Sequence, residues 1–166
     1  MRILIAGVGN ILRGDDGFGI EVLRRLRAMP GIFGVTFFES GIAGISLVQQ
    51  LMDGYDALVI IDALDRGAEP GQVFVLEPDR NSLSHASAPH ESTDLHQAIP
   101  EVVLQMAHGL KVLPKHVWIV GCQAVGCDDL GAPLSDPVAR AVPIAVQRVQ
   151  QIIKSLTNEK VCHAVS

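Results

Sequence analysis

What the chain lacks narrows it first. Its three cysteines, Cys122, Cys127 and Cys162, are odd in number and include no C-x-x-C pair. A disulfide framework and a zinc knuckle are therefore both unsupported, and reduced thiols are expected. No run of Lys and Arg occurs and the formal net charge is -5, so the basic footprint that holds a nucleic-acid backbone is missing. The longest uninterrupted apolar runs are about five residues, against the roughly 20 needed to cross a bilayer. The N-terminal run is broken by Gly7, Gly9 and Asn10 and followed by Asp15 and Asp16, which makes a poor signal peptide. These absences describe a cytoplasmic protein whose partner is a protein or a small molecule, with no nucleic acid and no membrane.

Other absences remove whole chemistries. The opening Gly7 to Gly19, GVGNILRGDDGFG, has Leu12 where a dinucleotide fingerprint needs its third glycine, and no Gly-Lys-Ser/Thr follows to make a P-loop. Two aspartates beside a helix N-terminus would also repel a pyrophosphate that the helix dipole attracts. Neither Ser40 nor Ser46 sits in a G-x-S-x-G elbow, so a serine hydrolase is not indicated.

What is present is a regular alternation of short apolar runs and amphipathic stretches. With 48% hydrophobic and 19% charged residues in 166, the composition suits one well-buried domain, residues 1–157, followed by a frayed tail, 158–166. Strands are expected at Arg2 to Val8, Val35 to Glu39, Ala57 to Ile61, Gln72 to Leu76 and His116 to Cys122. Helical spacing follows Phe18, Ile45, Pro100 and Asp136, the last expected to be capped by Ser135 and Asp136. The expected fold is α/β, a three-layer α/β/α sandwich with a mostly parallel five-stranded twisted sheet.

Open α/β sheets place ligands at the carboxyl ends of their strands. Two carboxylate sources fall there: the Asp15/Asp16 loop after the first strand, and Asp62 directly after the apolar ALVII run. Each has a bland alternative, a helix cap for Asp15 or Asp16 and a turn cap for Asp62. The Ser40 to Gly44 turn, SGIAG, is flexible enough to receive a peptide or merely to connect. Of the mid-chain histidines, His96 is tied to the start of a helix, whereas His85 and His90 lie in a long polar stretch.

This constellation resembles the hydrogenase maturation endopeptidase family over nearly the whole chain: GVGNILRGDDGFG, SGIAG, VIIDALDRGAEPG, HQAIPEVVLQMA, the IVG of the fifth strand and LSDPV. The resemblance implies an aspartic-type endopeptidase that removes the C-terminal extension from a nickel-loaded NiFe hydrogenase large-subunit precursor. It implies that Asp16, Asp62 and one histidine recognise nickel carried by the substrate, with Asp16 and Asp62 also catalytic. His96, in an H-Q-x-x-P pattern, is the expected third ligand, and His90 is held in reserve. Gly9, Asn10, Asp15, Gly41 and Gly44 are the expected substrate-binding residues. No tightly bound organic cofactor is implied, and a monomer is expected. Cys122 and Gln123 depart from the family pattern, which carries a hydrophobic residue and an acid there. No pepsin-like Asp-Thr/Ser-Gly occurs, so hydrolysis is expected either from an acid/base carboxylate pair or from a carboxylate assisted by the substrate's metal. The rival readings are a non-catalytic nickel-binding maturation chaperone and a peptidyl-tRNA hydrolase-like enzyme.

Overall fold

Strand β1 (Ile3–Val8) is buried along its entire length, and the chain after it is laid out by how that strand is covered. The computed structural model describes residues 1–32, 34–41, 44–81, 83, 99–126 and 130–163, with residues 99 and 159–163 described by backbone alone. The elements follow in the order β1, α1 (Phe18–Ala28), β2 (Val35–Gly41), α2 (Gly44–Leu51), β3 (Ala57–Leu64), β4 (Val73–Leu76), α3 (Ile99–Gly109), β5 (His116–Gln123) and α4 (Asp136–His163). The five strands form one sheet in the order β2-β1-β3-β5-β4, parallel except for β4, which runs antiparallel to β5 at one edge.

Side-chain alternation divides the core in two. Ile3, Ile5, Ala57, Val59 and Ile61 face α1 and α4, meeting Phe18, Val22, Leu26, Val142 and Val149. Leu4, Ala6, Leu58 and Ile60 face α2 and α3, meeting Leu47, Leu51, Val103 and Leu104. Both faces are covered, which is why β1 and β3 read as continuous apolar runs. The three-layer α/β/α sandwich and its mostly parallel five-stranded sheet are as the sequence indicates.

Several boundaries differ by a residue or two, β2 reaching Gly41 and β5 Gln123, and three differences go further. Strand β3 extends past Ile61 to Leu64, because β5 continues beside it and pairs Asp62 with Gly121, Ala63 with Cys122 and Leu64 with Gln123. Asp62 is therefore inside the strand, not after it. Helix α4 runs to His163, beyond the Thr157 limit expected from the sequence, and it continues through Pro143. Neither Asp15 nor Asp16 caps α1, whose N-cap is Gly17 with no side-chain hydrogen bond.

The glycines of the opening stretch are demanded by backbone proximity. A Cβ on Gly19 would lie 2.2 Å from Ile61 O and 2.4 Å from Val8 O, so the first turn of α1 rests directly on the ends of β1 and β3. Gly19→Ala is expected to cost about 1–3 kcal/mol through overpacking, read as a lowered denaturation midpoint. An unchanged midpoint would show that α1 can lift off the strand ends without penalty.

Candidate active site

The loop after β1 is closed by its own hydrogen bonds. Leu12 N–H donates to Asn10 Oδ1 at 2.9 Å, Arg13 N–H to Asn10 O at 3.0 Å and Asp16 N–H to Arg13 O at 3.1 Å. Asn10 N–H then donates to Asp16 Oδ2 at 3.0 Å, which fixes that carboxylate against the loop. Gly9 adopts φ 116° and its position leaves no room for a side chain, since a Cβ would fall 1.8 Å from Asp16 O. Gly9 N–H donates to Gly41 O at 3.2 Å, tying the loop to the end of β2. Gly9, Asn10 and Gly41 thus shape the wall around Asp16, and Gly44 is the first residue of α2.

Asp62 reaches the same crevice from β3. Alternation along β3 puts it on the side of Leu58 and Ile60, facing the α2/α3 layer. Its residue is 2% exposed, and its Oδ2 finds no hydrogen-bond partner among the described residues. Burial raises its pKa well above the ordinary carboxylate value, and the negative charge of nearby Asp16 raises it further, while a backbone hydrogen bond from Ala63 opposes the shift. The two acids, separated in sequence, meet where neighbouring strands β1 and β3 send their connections in opposite directions, to β2 and to β4, which is the switch point of a doubly wound sheet.

Asp15 is used differently from its neighbour. Its carboxylate accepts from Val125 N–H at 2.9 Å, Ser135 N–H at 2.7 Å and Ser135 Oγ at 2.9 Å. It therefore joins the loop after β1 to the chain leaving β5 and to the start of α4. Ser135 spends its hydroxyl on this bridge, while its carbonyl accepts from Ala139 N–H at 2.8 Å to begin the helix. A substrate role for Asp15 would have to share oxygens already engaged with the chain.

Gln123 is a structural residue that sequence reasoning marks only as a departure. Its Oε1 accepts from Arg66 N–H at 2.8 Å and Ala68 N–H at 3.2 Å, and its Nε2 donates to Asp65 Oδ1 at 3.0 Å and Ala124 O at 3.1 Å. Gln123 thereby pins the loop that leaves β3 two residues after Asp62. The bond from Gln123 lowers the pKa of exposed Asp65. Cys122 beside it is fully buried, and burial together with the charge of Asp15 pushes its thiol up to about 12, so it is not poised as a nucleophile.

His96 and His90, like His85, lie outside the described residues. The helix that follows them is placed, however. Pro100 and Glu101, in the first turn of α3, share a cleft of about 380 Å³ with Leu64, Asp65 and Arg66 at the end of β3. No group of three or more metal-ligating side chains is found among the described residues. No helix among them is long and apolar enough to cross a membrane.

Fold and site together define a doubly wound α/β protein with a buried acidic pair at its switch point. The chain belongs to the hydrogenase maturation protease family: the family model described as HycI, hydrogenase maturation protease, matches residues 20–152. That span includes Asp62, while the Asp15/Asp16 loop lies just before it. The hydrogenase expression/formation protein HupD of Rhizobium leguminosarum bv. viciae is 33% identical over 155 residues, covering 93% of this chain and 75% of that protein. A putative hydrogenase maturation protease of Methanocaldococcus jannaschii is 31% identical over 155 residues, covering 92% of this chain and 96% of its own. Among solved structures, the hydrogenase maturating endopeptidase HybD from E. coli matches with a TM-score of 0.76 at 25% identity over 93% of both chains. The NiFe hydrogenase maturation protease HybD from Thermococcus kodakarensis matches with a TM-score of 0.68 at 28% identity, over 92% of this chain and 99% of that one.

Proposed function

We propose that this protein is an endopeptidase that removes the C-terminal extension of a nickel-loaded NiFe hydrogenase large-subunit precursor. The observation that carries the reading is the buried pair of Asp16 and Asp62 at one crevice, with an Asp62 oxygen left without a partner among the described residues. Two acids held together in low dielectric are costly unless a cation or a proton joins them. A divalent ion presented by the substrate meets that need. Asp16, Asp62 and a histidine would hold it, His96 first and His90 as the alternative. Imidazole with carboxylates suits a borderline metal such as nickel. The position of the first turn of α3 beside the end of β3 supports His96, which precedes Ile99 by three residues.

Hydrolysis then needs a base to take a proton from water and an acid to return one to the leaving amine. The carboxylates supply that pair in an aspartic-type mechanism. The water oxygen bonds to the scissile carbonyl carbon, the C–N bond breaks, and the released amine takes the proton. The substrate's nickel polarises the carbonyl or the water, which separates correct substrate from a precursor lacking metal.

The test is incubation of the purified protein with nickel-loaded precursor, followed by intact mass. Loss of a C-terminal peptide is expected. Asp16→Asn should lower the rate by about 100-fold or more with the thermal midpoint preserved, and His96→Ala should lower it more than His90→Ala. An unchanged precursor mass would favour a chaperone role instead, and normal processing by Asp16→Asn would remove that residue from the site.

A further inference from the structure

Residues 65–68, which leave β3 just past Asp62, owe their course to one buried side chain. Arg66 N–H and Ala68 N–H both donate to Gln123 Oε1, at 2.8 and 3.2 Å, and Gly67 N–H donates to Asp65 Oδ1 at 3.2 Å. Gln123 Nε2 closes the set by donating to that same Asp65 oxygen at 3.0 Å. None of these three N–H groups reaches a backbone carbonyl, so side-chain acceptors give the loop its shape. Asp65, Arg66 and Gly67 are exposed, so burial does not hold them. Gln123 is 5% exposed, and its backbone is fixed by Gly71 N–H, which donates to its carbonyl, and by Gln72 O, which accepts from its N–H. An apolar side chain would fill the same space without the cost of burying an amide. What only the amide supplies is the hold on the loop.

That loop is one wall of the cleft of about 380 Å³ whose other walls include Glu77, after β4, and Pro100 and Glu101 of α3. Its apolar lining includes Leu64, Leu104 and Ile119. Leu104 and Ile119 belong to the core between the sheet and the α2/α3 layer, the side that Asp62 faces. Leu64 stands two residues beyond Asp62 on the same face of β3, about 7 Å along the strand. It lies over Gly121, where a Cβ would fall 2.0 Å from Leu64 Cδ1, and Gly121 is the residue paired with Asp62. The cleft therefore begins beside the buried acid and on its side of the sheet. Pockets that hold ligands run from about 300 to 1,000 Å³, so this one has room for a side chain or two of a polypeptide.

Resting on the peptidase reading above, we propose that this cleft receives the precursor polypeptide next to its scissile bond, and that Gln123 is the positioning residue that holds the 65–68 wall in place. An extended chain advances about 3.3 Å per residue, so with the scissile bond at Asp62 the side chain about two residues away falls at the cleft. Leu64, Leu104 and Ile119 take its apolar surface. Gln123 touches no substrate and takes no part in bond cleavage.

The experiment measures binding and cleavage of nickel-loaded large-subunit precursor by wild type, Gln123→Met, Glu101→Trp and Arg148→Ala. Gln123→Met keeps the length of the side chain and removes its hydrogen bonds. Glu101→Trp, at an exposed position of α3, sets a large ring at the cleft. Arg148→Ala, at an exposed position of α4 across the sheet, is the control. Gln123→Met and Glu101→Trp should each raise KM and the dissociation constant at least about 10-fold and leave kcat within about 3-fold, as loss of uniform binding does. Arg148→Ala should change neither, and thermal melts check folding. A lowered midpoint with unchanged KM assigns Gln123 to the scaffold and overturns its positioning role. Failure of Gln123→Met to fold does the same, as does a fall in kcat at constant KM. Glu101→Trp judges the cleft separately, and an unchanged KM there overturns it. Wild type that binds the precursor without cutting it overturns the peptidase reading alone, and the variants are then compared by dissociation constant. Wild type that neither binds nor cuts overturns both.

Discussion

Asp62→Asn is expected to abolish processing and to make the folded protein more stable at neutral pH. Asp62 is nearly inaccessible, its Oδ2 lacks a partner among the described residues, and Asp16 lies close enough to disfavour its ionised form. The asparagine keeps the shape and removes the charge. Because the folded-state pKa is raised, the unfolded chain gives up this proton at lower pH than the folded one does. The aspartate's stability is thus complete below the unfolded value near 3.8 and is lost as pH rises through the folded value. The variant should melt with wild type below about pH 4 and move ahead of it as pH increases, levelling off above the raised folded pKa. A gain of roughly 1–3 kcal/mol, about 2–12 °C for a chain of this size, follows from removing a buried carboxylate charge held beside Asp16. The measurement is a series of thermal melts of metal-free protein from pH 4 to pH 9, together with precursor mass. A lower midpoint throughout that range would mean Asp62 is a structural acceptor, and continued processing would take it out of the chemistry.

In the loop after β1, Asp15→Ala should do the reverse. Its carboxylate accepts three hydrogen bonds from Val125 and Ser135 and is 2% exposed. Removing it strands two backbone N–H groups and a hydroxyl near the junction of β1, β5 and α4. Bonds to a charged acceptor are worth about 1.5–3 kcal/mol each, and some of that is recovered by water. A loss of about 3–5 kcal/mol results, a fall in midpoint of roughly 6–20 °C. Denaturant titration with the midpoint and slope both recorded checks it. A loss under about 1 kcal/mol would show that the bridge is dispensable, and residual processing at low temperature should survive because the Asp16 and Asp62 carboxylates are untouched.

The contrast between adjacent aspartates explains what was legible in the sequence. Alternation of apolar runs such as ALVII with helical spacing from Phe18 onward is a local signal, and it sufficed for the layers and the sheet. Asp62 was visible because an acid interrupts an otherwise apolar run, although its place within β3 was not, since β5 extends that strand from a distance. Asp15 and Asp16 are chemically identical side by side, and only Ser135 and Val125, more than a hundred residues on, separate the carboxylate that clamps the chain from the one held against Asn10. Gln123 likewise looks like a mere departure in sequence, because its four partners lie on a loop more than fifty residues earlier and on its own neighbour.

The backbone contacts of Gly9 and Gly19 leave no spare volume in the floor of the crevice. Any diversification of taste among proteins built this way cannot be written there without wrecking the architecture. It has to be written in the outward-facing loops, where a leucine can become a phenylalanine or a serine at little risk.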